Sequence, residues 1–132
     1  MFQRIETRAR AIAGALLIGA AALAGCGTEG ASTGGHAQAQ DRVGEARALI
    51  DRGATLLDVR SPGEWEAGHL EGATLIPVQE LSGRLSEVPR DRPVVVYCAS
   101  GSRSNTAASM MRGAGYEVFD LGGMPSTAAW SR

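Results

Sequence analysis

The 132-residue chain predicts an α/β domain, a small parallel sheet with helices on both faces. Two observations carry this expectation. Short apolar runs at 55–59, 73–78 and 94–97 read as strands, and segments with helical spacing separate them. The run at 94–97 is apolar without alternation, as a strand buried between two helix layers is.

Taken in order, Val43, Ala46, Leu49 and Ile50 predict a first helix, so the folded domain begins near Asp41, and Gly53 supplies the helix stop. Residues 55–59 form a short buried strand that Ser61-Pro62-Gly63 breaks. Residues 73–78 are a second extended piece, ended by Pro77. Leu81, Leu85 and Val88 fit a short helix, and 94–97 is the third and most apolar strand. A helix is expected over 104–115, with Ser104 as N-cap and Ala107, Ala108, Met111 and Ala114 facing inward. Met110 and Met111 need no role beyond filling core gaps. Residues 116–121 alternate like a strand, and a last short helix carries Trp130 as a packing residue. The domain at 41–132 is long enough for one modest core, and no internal repeat is visible.

Residues 1–25 read as an export signal rather than as fold. Arg4, Arg8 and Arg10 stand against Glu6, an apolar stretch covers 11–24, and small residues lead to Cys26. That stretch falls short of a membrane span of about 20 residues. Leu23-Ala24-Gly25-Cys26 resembles the lipobox of bacterial lipoproteins. The resemblance implies that Cys26 is acylated and becomes the mature N-terminus, a lipid anchor to the cell envelope on its periplasmic or other extracytoplasmic face. A plain signal peptide that contains a cysteine is the other reading. Gly27 in place of an aspartate leaves the outer membrane open as the destination. Residues 27–40, rich in Gly, Ser, Thr, Ala and Gln, read as a flexible tether, with His36 a solvated residue in it. The chain has two cysteines; an acylated Cys26 cannot pair, which leaves Cys98 as a free thiol.

Charge excludes one class of partner. The net charge is −1 and every basic residue is arginine, so no basic excess exists to bind nucleic acid.

The chemistry concentrates at Cys98-Ala99-Ser100-Gly101-Ser102-Arg103-Ser104. A cysteine at a strand end, followed by a small-residue turn and a helix start, sits where free N–H groups and the helix dipole stabilise an anion. In such settings a thiol ionises readily and becomes a nucleophile. The competing reading is a structural cysteine closing a core strand; a glycine-containing turn ended by arginine is more than such a strand end requires. Four residues separate Cys98 from Arg103.

This loop resembles the Cys-x-x-Gly-x-Arg-Ser active-site loop of single-domain rhodaneses, which are sulfurtransferases. Upstream, Leu57-Asp58-Val59-Arg60-Ser61-Pro62-Gly63-Glu64-Trp65 is similar to that family's Asp-Val-Arg segment. Gly68-His69-Leu70-Glu71-Gly72-Ala73 resembles its Gly-His-Ile-x-Gly-Ala element, Ile76-Pro77 its Ile-Pro, and Gly122-Gly123 the pair before its last helix. The resemblance implies a rhodanese-like fold and a two-step transfer. Cys98 takes the outer sulfur of a small-molecule donor such as thiosulfate, and a thiophilic acceptor (cyanide, a small thiol or a protein thiol) removes it. The N–H groups of Ala99, Ser100, Gly101, Ser102 and Arg103 would cradle the bound sulfur. Arg103 either binds the donor's oxyanion or closes the loop on backbone carbonyls. Asp58 and Arg60 are expected to brace loops by ion pairing, His69 to be a satisfied structural histidine, and Trp65 to wall the pocket or pack in the core. No metal or organic cofactor is needed. Ala99 and Ser100 are neutral where some thiosulfate-specific members carry basic residues, and Trp130 lies further from Gly122-Gly123 than usual, so a short final helix is expected. Phosphatases and arsenate reductases share the cradle idea but place five residues between cysteine and arginine. A persulfide carrier or protein-docking domain is the third alternative.

Overall fold

Four short strands form one parallel sheet in the computed structural model, which describes residues 34–131. They are β1 (Thr55–Asp58), β2 (Thr74–Leu75), β3 (Val94–Cys98) and β4 (Val118–Gly123), in spatial order β2-β1-β3-β4. The helices are α1 (Gly34–Asp51), α2 (Pro62–Glu66), α3 (Val78–Arg84), α4 (Ser102–Gly113) and α5 (Thr127–Trp130), with a 3₁₀ turn at Leu85–Glu87 after α3. The expected signal segment, the expected lipidation site Cys26 and the tether up to residue 33 lie outside the described residues.

The period of two along β3 sorts the core. Val94, Val96 and Cys98 face one side, where they pack with Leu81, Ala107, Ala108 and Met111 of α3 and α4. Val95 and Tyr97 face the other, against Ala46 of α1, Leu70 and Leu121, with Trp130 of α5 packed beside them. Both faces of β3 are therefore covered, which is why its sequence does not alternate. Val94, Val95 and Val96 are each fully buried, a contribution of about 1.5–3 kcal/mol apiece. The same alternation aims Cys98 at the face that α4 covers, so the helix following the cysteine starts beside its sulfur.

Three boundaries differ from expectation. Helix α1 begins at Gly34, not near Asp41, so the tether reading fails for 34–40. Ala37, Gln38, Ala39 and Gln40 are good helix formers and extend the helix without adding an apolar stripe. Ser61-Pro62-Gly63 does not only break a strand; it starts α2. The Ser61 hydroxyl accepts the Glu64 N–H, the Glu64 carboxylate accepts the Ser61 N–H, and Pro62 occupies the first turn, where its missing N–H costs nothing. Strand β4 starts at Val118 because Tyr116 turns inward, donating its hydroxyl proton toward the Leu85 (2.6 Å) and Val88 (3.1 Å) carbonyl oxygens.

Candidate active site

Cys98 ends β3 at the carboxyl edge of the sheet and is fully buried. The chain must then reverse into α4 within three residues. Gly101 makes this possible with φ of 102°, a left-handed conformation that a side chain resists, and occupies the N-cap position of α4. This corrects the expected cap. Ser104 lies inside the first turn of α4, and its hydroxyl donates to the Gly101 carbonyl at 3.0 Å.

The turn points donors at the sulfur. The Gly101 N–H lies 2.9 Å from Cys98 Sγ. Burial pushes the thiol up, but hydrogen bonds from the backbone N–H groups of Ser104, Gly101 and Ser100 outweigh it, leaving Cys98 below an ordinary thiol. The deprotonated form reacts, so Cys98 alkylation should persist below the pH at which an ordinary thiol stops reacting and fade as pH falls through the folded pKa, read as rate against pH with iodoacetamide. An inflection at the ordinary thiol position would remove the cradle's effect.

The second wall is β4. Met124 N–H donates to the Cys98 carbonyl at 2.7 Å. A Cβ on Gly123 would stand 3.0 Å from the Ala99 carbonyl oxygen, so glycine permits this close approach of strand to loop.

Arg103 pairs with a carboxylate rather than closing the loop on backbone carbonyls. Its two terminal nitrogens reach the Glu64 carboxylate at 2.7 and 2.8 Å, a two-pronged pair joining α4 to α2. Arg103 above all, then the Ser61 N–H and hydroxyl, holds the Glu64 carboxyl well below the usual carboxylate range. Sequence reasoning did not single out Glu64; the only local signal was its place in the Ser61 capping box.

Asp58 and Arg60 do pair. The Arg60 Nε lies 3.0 Å from both Asp58 oxygens, its Nη2 2.7 Å from Oδ2, and Nη2 also donates to the Gly68 carbonyl at 2.8 Å. His69 stacks flat on Trp65, with ring centroids 3.6 Å apart, and its Nδ1 is 3.0 Å from the Trp65 carbonyl oxygen. A carbonyl only accepts, so Nδ1 carries the proton, as a satisfied structural histidine does. Trp65 is half-buried and serves as the stacking surface for that ring. Among the described residues, no group of three or more His, Cys, Asp or Glu side chains is placed to hold a metal ion.

The family model for the rhodanese-like domain matches residues 42–129. The chain belongs to the rhodanese-like domain family. All the motifs that carried the resemblance, from Leu57 to Gly123, lie inside that span. This rhodanese-like chain is 40% identical over 78 residues to a sulfurtransferase of Allochromatium vinosum, covering 58% of this chain and 71% of that protein. It is 44% identical over 73 residues to the YqhL protein of Bacillus subtilis, covering 54% of this chain. The chain spans 58% of the length of that relative. The solved structure of a human single-domain sulfurtransferase aligns with a TM-score of 0.55 at 29% identity, covering 67% of this chain and 93% of that one.

Proposed function

We propose that this rhodanese-like domain is a sulfurtransferase working through a Cys98 persulfide. The observation that carries the reading is the sulfur itself. It ends a buried strand under a short loop that aims peptide N–H groups at it, with the Gly101 N–H at 2.9 Å. Such a nest stabilises the attacking thiolate and then the anionic persulfide. The thiolate attacks the outer sulfur of a sulfane-sulfur donor such as thiosulfate. The new bond joins Sγ to that sulfur, the donor's S–S bond breaks with its electron pair, and sulfite leaves. A thiophile, such as cyanide or a thiol, then attacks the outer sulfur and carries it off, restoring the thiolate. Two half-reactions through one covalent intermediate give ping-pong kinetics. The names of the A. vinosum and human relatives support the assignment. The four residues between Cys98 and Arg103, one fewer than oxyanion-ester chemistry uses, count against a phosphatase or arsenate reductase.

The deciding measurement is intact mass. Incubation with a donor should add one sulfur atom to the protein, and cyanide should remove it as thiocyanate. No gain with thiosulfate or with an organic persulfide would refute the assignment.

Leu23-Ala24-Gly25-Cys26 after a basic start and a short apolar stretch supports a second proposal, that acylation of Cys26 anchors the domain to the bacterial cell envelope on its periplasmic or other extracytoplasmic face. A single acyl chain holds a protein marginally and two hold it stably. Cys26→Ser should leave the signal unprocessed or release the protein from membrane pellets. Normal cleavage with unchanged retention would remove the anchor.

A further inference from the structure

Resting on the sulfur-transfer reading, we propose that Glu64 determines donor specificity: by closing on Arg103 it neutralises that cation beside the cradle and favours organic persulfides of low charge over the thiosulfate dianion.

The argument is a charge balance around Cys98. Arg103 commits both terminal nitrogens to Glu64, at 2.7 and 2.8 Å. Glu64 is held in place from the other side by the Ser61 N–H at 3.0 Å and hydroxyl at 2.8 Å, so the start of α2 positions its carboxylate. The nearby Asp58–Arg60 pair is buried and likewise neutral as a unit. Ala99, Ser100 and Ser102 add no charge. Arg42 lines a cavity on the outer side of Ser100 and Gly101, but Asp120 lines the same cavity. What faces the thiolate is therefore a set of N–H dipoles, enough for a single anionic sulfur.

A thiosulfate ion brings two further negative charges to that thiolate. An organic persulfide brings at most one, on R–S–S⁻, and none in its protonated form R–S–SH. In that form the thiolate attacks the outer sulfur, the S–S bond breaks, R–S⁻ leaves with the electron pair, and the proton stays on the transferred sulfur. Like charges slow the first encounter more than the second, and field effects of this kind change association by 10-fold or more.

The test compares full-length wild type and Glu64→Gln, with thiosulfate and with cysteine persulfide generated in situ, cyanide being the acceptor. Glutamine keeps an acceptor for the Ser61 N–H, so α2 remains capped. In the variant, kcat/KM for thiosulfate should rise about tenfold and that for the persulfide by clearly less, so the donor ratio shifts toward thiosulfate. Wild-type kcat/KM for thiosulfate should also rise with ionic strength, because salt screens repulsion. An unchanged donor ratio in Glu64→Gln overturns the proposal. If the variant does not fold, the wild-type salt dependence decides alone, and a flat or falling response overturns it. Failure of wild type to gain sulfur from either donor sinks sulfur transfer and this proposal together. Turnover of both donors with an unmoved ratio sinks the role of Glu64 only.

Discussion

Cys98→Ser should abolish sulfur loading while leaving the fold in place. Serine differs by one atom and offers an oxygen to the same donors, the Gly101 N–H at 2.9 Å and the Ser104 N–H. What it lacks is the chemistry. The cradle holds the thiol below its ordinary value and favours the thiolate, whereas a serine hydroxyl ionises far less readily and stays protonated. The transferred sulfur also needs a soft nucleophile, since a thiolate attacks a disulfide-like sulfur readily. Turnover is expected to fall by at least about 10³-fold, to the background of donor and acceptor reacting alone. Stability should change by less than about 1.5 kcal/mol, because the volume at the end of β3 is nearly conserved. Intact mass after donor treatment reads the first quantity and thermal melting the second. A variant that still gains one sulfur places the nucleophile elsewhere.

The parts of this molecule that were legible in sequence are those that short-range rules govern. Strand β3 is a uniform apolar run because the sheet is covered on both faces, and such a run stands out; β1 shows itself through Leu56 and Leu57 between Thr55 and Asp58. The proposed nucleophile is legible because a cysteine, a glycine-bearing turn and a helix lie within seven residues. Ser104 was read as a cap because serine is a good one; Gly101 takes that position instead, since only a residue at φ of 102° turns the chain tightly enough. Helix α2 was missed although Ser61-Pro62-Gly63-Glu64 spells a capping box, because proline and glycine together read first as a break. The Glu64–Arg103 pair was beyond reach for a different reason. Its members lie 39 positions apart, and the capping box that marks Glu64 locally says nothing of an arginine on another helix.

Arg60→Met should be the most destabilising single change in the loops around the site, by about 3–5 kcal/mol. Asp58 is fully buried at the end of β1, and the Arg60 side chain satisfies both its oxygens through Nε and Nη2, at 2.7 to 3.0 Å. The Arg60 backbone N–H adds a further bond to Oδ1 at 2.8 Å, which methionine keeps. Removing the guanidinium strands a charge where water does not reach, and the penalty is the desolvation of that carboxylate rather than the modest worth of the pair. Domains of this size are stable by about 5–15 kcal/mol, so the loss is a large fraction of the total. At about 4–8 °C per kcal/mol, the melting midpoint should fall by on the order of 12 °C or more. The double change Asp58→Leu with Arg60→Met should recover much of this, because no charge is then left buried. It should not recover activity to the same extent. Arg60 also donates to the Gly68 carbonyl at 2.8 Å and so ties down the segment that carries Glu64, Trp65 and His69. A stable double variant with impaired donor selectivity would separate the two duties of Arg60, bracing the fold and holding the rim of the cradle. A double variant that melts as low as the single one would show that the buried charge is not what the arginine is there to balance.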